Sequence, residues 1–194
     1  MKAKCDRKQA LLGYYYFDFN DIAKQGIHGI LTSLLSQFCA DSDPCYEIVH
    51  NLYLENAAGS RQPNNKALIG CLIEILRLTH VPMRYIILDG IDECPNTSGI
   101  PTAREEVLKF LTGLICLDLP DLRICVTSRP EVDIRTALEP LTSLLIPLED
   151  QIGQKRAILD YITQFIHSDS RTERWTPADK QLVIDTLSER AEGV

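Results

Sequence analysis

The spacing of apolar residues changes repeatedly along the chain, and these changes predict alternating strands and helices. Apolar positions recur at helical spacing in Ile22–Cys39 and Lys66–Thr79, whereas Arg84–Asp89 is a nearly continuous apolar run that predicts a buried strand. The aromatic-rich segment Leu11–Phe19 also predicts a strand. Two further strands are predicted at Leu122–Thr127 and Ser143–Leu148, and five further helices at Tyr46–Asn56, Ala103–Cys116, Glu131–Leu138, Gln151–His167 and Pro177–Arg190.

The order of these elements predicts the fold class. Strands that alternate with helices are typical of α/β proteins with a parallel sheet. The pattern becomes entirely helical after Leu148. We therefore predict an α/β core over residues 1–148 and a helical extension over residues 149–194.

Charge and apolar run lengths exclude two classes of protein. The chain has 194 residues and a formal charge of −7, which disfavours a nucleic-acid groove because such grooves need many cations. A nucleotide site stays open, since a metal ion and one or two cations suffice there. The apolar runs Tyr85–Leu88 and Leu144–Leu148 are too short to span a bilayer. No signal-peptide run follows the basic N-terminus, so we expect a cytoplasmic protein.

Seven cysteines are present, an odd number without any Cys-x-x-Cys pair. This spacing favours buried free thiols over a disulfide framework or a zinc site. The cysteines that lie within apolar runs are Cys39, Cys71, Cys116 and Cys125.

The most specific signal follows the predicted strand Arg84–Asp89, where three acids occur within five positions: Asp89, Asp92 and Glu93. Ligands of parallel α/β sheets bind beyond the carboxyl ends of the strands. One carboxylate there is suited to hold Mg²⁺ beside phosphates, and another to polarise a water molecule. The alternative is that these acids only end a strand and cap the next loop.

A second signal follows the next predicted strand, which ends in Thr-Ser-Arg-Pro. An arginine at this edge, Arg129, is placed to contact a γ-phosphate. Taken alone, Arg129 is also consistent with a solvated surface charge.

The strings DGIDECP and VTSRPE, preceded by the strand Tyr14–Asn20, resemble fungal NACHT domains. These are nephrocystin-type N-terminal domains of the STAND class of P-loop NTPases, and the resemblance extends from about Ala10 to Val194. It implies a three-layer parallel sheet and a switch driven by ATP or GTP with Mg²⁺. It also implies oligomerisation and roles in non-self recognition or cell-death signalling.

The resemblance also implies roles for single residues. Asp89 matches the Walker B metal aspartate, and Asp92 or Glu93 matches the acid that activates water, with Asp92 favoured. Arg129 matches the arginine that senses the γ-phosphate. Asp18 and Asp21, at the end of the first predicted strand, receive no catalytic role because capping explains them equally well.

One part of the family pattern is missing from this chain. The phosphate-binding loop Gly-x-x-x-x-Gly-Lys-[Ser/Thr] is not found, and no Gly-Lys pair occurs anywhere. The resemblance places the strand before this loop between Arg84–Asp89 and Leu122–Thr127. Without it, these two strands either pair with each other or keep open edges. We therefore predict a fragment of a signalling ATPase that does not hydrolyse nucleotide by itself.

Two other hypotheses remain. The chain is alternatively a non-enzymatic interaction module, a pseudo-NTPase that binds other NACHT proteins or copies of itself. A Mg²⁺-dependent hydrolase built on Asp89, Asp92 and Glu93 without a phosphate-binding loop is the third, and it needs more metal ligands than the sequence offers.

Overall fold

The protein is described here by a computed structural model. The described residues are 10–56, 59–79, 83–97, 99–147 and 152–190. The chain divides into two compact units, Met1–Thr142 and Ser143–Val194, and each is treated by itself. Within the described ranges, no helix combines the length and the apolar character that crossing a membrane requires.

The first unit is built on three parallel strands in the order β1–β2–β3. They are β1 (Leu11–Tyr16), β2 (Arg84–Asp89) and β3 (Leu122–Val126). All three were predicted, although β1 ends three residues early. β2 and β3 pair directly, so the first of the two alternatives for their edges is confirmed.

Helices connect the strands, and short polar side chains fix where two of them begin. Asn64 accepts a hydrogen bond from the Ala67 amide, and Thr102 forms a capping box with Glu105. The predicted helix from Ile22 instead begins at Ile27. The helices are α1 (Ile27–Asp41), α2 (Asp43–Glu55), α3 (Asn65–Leu76), α4 (Ala103–Ile115) and α5 (Val132–Leu138).

The core of this unit lies on one face of the sheet. Ile86 and Leu88 are fully buried among helix side chains, whereas Tyr14 and Tyr16 on the opposite face are 46% and 56% exposed. Right-handed crossovers that step in one direction across a sheet place their helices on the same face. The described residues of the first unit therefore form two layers, and the predicted three-layer arrangement is not formed within this unit.

Gly13 allows α1 to pack closely against β1. A Cβ atom at this position would lie 2.6 Å from Leu34 Cδ2 and 3.0 Å from the Phe38 ring, and both side chains are fully buried. Next to it, the Gln37 side chain accepts a hydrogen bond from the Tyr14 amide (3.1 Å) and donates one to the Tyr14 carbonyl (2.8 Å). The outer edge of β1 is thereby blocked against pairing with another strand.

The second unit is helical, with α6 (Ile152–Ser168) packed against α7 (Pro177–Arg190). The predicted strand Ser143–Leu148 is wrong for its described residues, 143–147, which are in no strand. Their apolar side chains are mostly exposed, at 72% for Leu144 and 64% for Leu145. An apolar run becomes a strand only where its backbone finds a ladder partner, which a sequence pattern does not reveal.

Candidate functional site

The carboxyl ends of the three strands meet at one edge of the sheet, and the predicted site residues follow these ends. Backbone hydrogen bonds extend past the strands: Phe17 N donates to Asp89 O (3.0 Å) and Thr127 N to Leu88 O (3.0 Å). Ile91 N donates to Thr127 O at 3.1 Å. The segments that leave the strands are therefore held side by side.

Asp89 is the last residue of β2, and Thr127 fixes its carboxylate. The Thr127 hydroxyl donates to Asp89 Oδ1 and accepts a hydrogen bond from Gly90 N at 3.0 Å. Gly90 has a φ of 74°, a left-handed conformation that glycine adopts at little cost. Sequence reasoning did not assign Thr127, although a hydroxyl directly after a strand end was a usable signal.

Asp92 and Arg129, which the sequence placed only at the same edge, are in direct contact. The Arg129 amide donates to Asp92 Oδ1 at 3.0 Å, and Arg129 Nε lies 3.4 Å from Asp92 Oδ2. The Asp92 side chain is 11% exposed and the Arg129 side chain 78% exposed. We refer to Gly90–Cys94 as the acid turn and to Thr127–Glu131 as the arginine segment.

The acid turn is also attached to the segment that follows β1. Glu93 Oε2 accepts a hydrogen bond from Phe19 N at 3.3 Å, and Cys94 Sγ donates to Gln25 O at 2.9 Å. Glu93 therefore lies at the same edge as Asp89 and Asp92, but it faces the opposite neighbour.

Arg104, at the start of α4, is a site residue that the sequence gave no reason to select. It is 6% exposed, and its guanidinium contacts the carbonyl oxygens of Asp92 and Cys94 and the carboxylates of Glu131 and Asp133. Its sequence position, in the first turn of an amphipathic helix, is typical of a solvated charge. Only the fold brings it beneath the acid turn.

Asp21 is a capping residue, as the sequence suggested, and Asp18 closes the turn that precedes it. Asp18 Oδ1 accepts a hydrogen bond from Asn20 N at 2.9 Å, and Asp21 Oδ1 accepts one from Ala23 N at 3.1 Å. Neither contact involves Asp89.

Nowhere among the described residues do three His, Cys, Asp or Glu side chains converge into a metal-binding group. Mg²⁺ in phosphate-transfer sites is commonly held by one or two carboxylates, with phosphates and water completing its shell. Asp89 suits such a shared site, because its Oδ2 has no hydrogen-bond partner within the described part of the chain. It does not fit a site made of protein ligands alone.

Burial keeps two thiols neutral, one of them in the acid turn. It raises the pKa of Cys94 to about 11 and that of Cys71, on α3, to about 12, so both are neutral thiols at pH 7. The predicted burial is confirmed for Cys71 but wrong for Cys116 and Cys125, which are exposed after the end of α4 and on the open face of the sheet. Cys5 lies outside the described residues.

The chain was compared with protein families, curated proteins and solved structures. A family profile described as "Nephrocystin 3, N-terminal" matches residues 2–129, which is more than half of the 194-residue chain. The matched range includes the acid turn and ends at Arg129. Neither the curated proteins nor the solved structures gave a match. The chain therefore belongs to the nephrocystin 3 N-terminal family.

Proposed function

We propose that this chain is part of a NACHT-type signal-transduction ATPase of the STAND class, in which it forms the acidic, metal-side half of a nucleotide switch. The observation that carries the proposal is the contact of Arg129 with Asp92 beside Asp89, at the carboxyl edge of a parallel sheet. An arginine that pairs with an aspartate at this edge is suited to exchange that carboxylate for the phosphate of a nucleotide.

Each residue at the edge then has a distinct task. Asp89 would hold Mg²⁺ through Oδ2, while Thr127 keeps the carboxylate oriented. A metal ion bound there would supply charge neutralisation for the phosphates of ATP or GTP. Asp92 and Glu93 are the acids available to orient water, and Asp92 becomes available only when the Arg129 side chain leaves it.

The energetics favour release of Arg129 by a phosphate. An ion pair whose arginine is 78% exposed contributes at most about 1 kcal/mol, because water screens it. A phosphate carries more negative charge than a carboxylate and offers three acceptor oxygens, so it is the stronger partner for an exposed guanidinium. A γ-phosphate at this edge would therefore displace Asp92 as the partner of Arg129, and that exchange would report which nucleotide is bound.

The residues that bind most of the phosphate group must lie outside this site. The chain contains no Gly-Lys pair, so it lacks the backbone amides and the lysine of a phosphate-binding loop. We expect residues 1–194 alone to bind nucleotide weakly and not to hydrolyse it. The complete switch would then require the loop from a longer gene product.

The proposal is tested on the native gene product, recovered from source cells and sized by intact mass. The product is titrated with a fluorescent ATP or GTP analogue and Mg²⁺. Asp89→Asn and Arg129→Gln should each weaken binding about tenfold or more, because each removes a charged contact worth roughly 1.5–3 kcal/mol.

The matched control is Asp118→Asn, the same chemical change in the loop that precedes β3, at the opposite edge of the sheet. Asp118 has a φ of 48°, which asparagine tolerates, so binding should stay unchanged. Equal affinity of Asp89→Asn and the wild-type protein would refute the assigned site. A native product without any nucleotide affinity would refute the switch as a whole.

A second candidate function is a non-enzymatic module that binds other NACHT proteins, and the open sheet face favours it. The side chains of Tyr14 and Tyr16 are 46% and 56% exposed. Their rings are neighbours in a T-shaped arrangement, with the ring centroids 5.7 Å apart. Replacing both with lysine should abolish co-purification with a NACHT domain, whereas Tyr161→Lys, a matched change at a 68% exposed position, should not. Retained binding by the double variant would exclude this face.

A further inference from the structure

Arg104 lies between the acid turn and the arginine segment, and its side chain bonds to both. Nε donates to the Cys94 carbonyl at 2.9 Å, and Nη2 donates to the Asp92 carbonyl at 2.6 Å. On the other side, Nη1 pairs with Glu131 and lies 3.4 Å from Asp133 Oδ2. A single buried side chain thus spans two segments that are more than thirty residues apart in sequence.

These contacts belong to a closed ring. Arg104 bonds to the backbone of Asp92, and the carboxylate of Asp92 bonds to Arg129. Arg129 is joined through Pro130, with its fixed φ, to Glu131, and Glu131 returns to Arg104. The ring therefore connects the position of Arg129 to that of the Glu131 carboxylate through Arg104.

We infer that Arg104 is a positioning residue that sets the separation of Arg129 and Asp92, and that links release of Arg129 to movement at the start of α5. The consequence for switching rests on the proposed function. The positioning itself depends only on the contacts described above.

The chemistry of this position requires a guanidinium. Its planar fork directs several N–H donors in different directions at once, whereas a lysine ammonium is a single point that reaches one side. The buried charge is balanced by two carboxylates, and Asn96 Nδ2 holds one of them by donating to Asp133 Oδ2 at 3.0 Å. Arg104→Lys therefore keeps the charge but removes the bridge.

Amide hydrogen exchange on the purified chain, without nucleotide, tests the positioning. In Arg104→Lys, the amides of Thr127, Arg129 and Ile91 should exchange at least tenfold faster, while those of α1 stay within about threefold of wild type. The matched control is Arg135→Lys, which alters an arginine paired with Glu139 on the exposed side of α5 and should change neither group.

The pattern of exchange separates positioning from a general structural role. Uniform acceleration, including α1, would mean that Arg104 only stabilises the fold, and unchanged exchange would mean that it holds nothing in place; either result overturns the inference. If Arg104→Lys does not fold, Glu131→Ala answers the same question, because it removes the contact of Arg104 with the arginine segment and leaves Arg104 bonded to both carbonyls and close to Asp133.

A nucleotide experiment on the native product then tests the link to switching. Arg104→Lys should weaken binding of the ATP analogue in the wild-type background and have little further effect in the Arg129→Gln background. Equal losses in both backgrounds would overturn the link. If the native product binds no nucleotide, the proposed function fails, and the exchange measurement still decides the positioning.

Discussion

The hydroxyl of Thr127 gives the sharpest test of how the acid edge is held together. Thr127→Val keeps the shape of the side chain and removes two hydrogen bonds, one to Asp89 Oδ1 and one from Gly90 N. A bond to a carboxylate contributes roughly 1.5–3 kcal/mol and a neutral one about 0.5–1.5 kcal/mol. Both Thr127 and Asp89 are half-buried, so water replaces part of the loss. We expect a destabilisation of about 2 kcal/mol.

Urea unfolding, followed by far-ultraviolet circular dichroism, measures this loss. The midpoint urea concentration should fall while the m value, the dependence of the unfolding free energy on urea concentration, stays unchanged. Thr136→Val is the matched control, because the Thr136 hydroxyl donates only to the Val132 carbonyl on an exposed helix surface. Its effect should stay within about 0.5 kcal/mol. A Thr127→Val effect as small as that of the control would mean that the Thr127 hydroxyl does not hold the acid edge together.

A double-mutant cycle tests whether the Thr127 hydroxyl acts on the Asp89 carboxylate. Combined with Asp89→Ala, Thr127→Val should show a coupling of about 1–2 kcal/mol, because the two side chains are in contact. Strict additivity would mean that the hydroxyl acts through Gly90 alone, and that Thr127 does not orient the Asp89 carboxylate.

Two further predictions concern packing and pH. Gly13→Ala should destabilise by about 1–3 kcal/mol through overpacking, whereas Gly70→Ala, mid-helix with no atom within 4 Å of an added Cβ, should stabilise by up to about 1 kcal/mol. Thermal unfolding of the two variants checks the sign, and equal shifts would contradict the close approach of α1 to β1. Burial raises the pKa of Cys71 from 9.0 to about 12, so the unfolded chain loses this proton first as the pH rises. The Cys71 contribution is therefore fully present below pH 9 and decreases above it, by about 1.4 kcal/mol per pH unit. Cys71→Ala should show a shallower loss of urea stability between pH 9 and pH 10 than wild type, and parallel losses would count against this assignment.

The three paired strands could be read from the sequence because their signals are local. β2 was predicted with its observed bounds, Arg84–Asp89, since a continuous apolar run that ends in an acid has few other interpretations. Ser143–Leu148 carried a similar apolar signal and forms no strand over 143–147. The difference lies in the availability of a neighbouring edge, which is a property of the assembled sheet.

The candidate site was only partly visible in the sequence. Acids and an arginine after consecutive strands are expected at one edge, because parallel strands end on the same side. Which acid contacts the arginine depends on the turn at Gly90 and on the register of β2 and β3, and neither has a sequence signature. Arg104 was not predicted at all, because a charge in the first turn of a helix gives no sign of being buried.

Local sequence patterns alone predicted the α/β class, the positions of the three paired strands along the chain, and the chemical groups that follow their carboxyl ends. Hydrophobic periodicity and residue type are local properties, and they suffice for these conclusions. Three features emerge only in the folded protein: helices cover one face of the sheet, Asp92 bonds to Arg129, and Arg104 bridges the two segments. These features depend on contacts between residues far apart in the chain, and their geometry is fixed by packing and burial rather than by any local pattern.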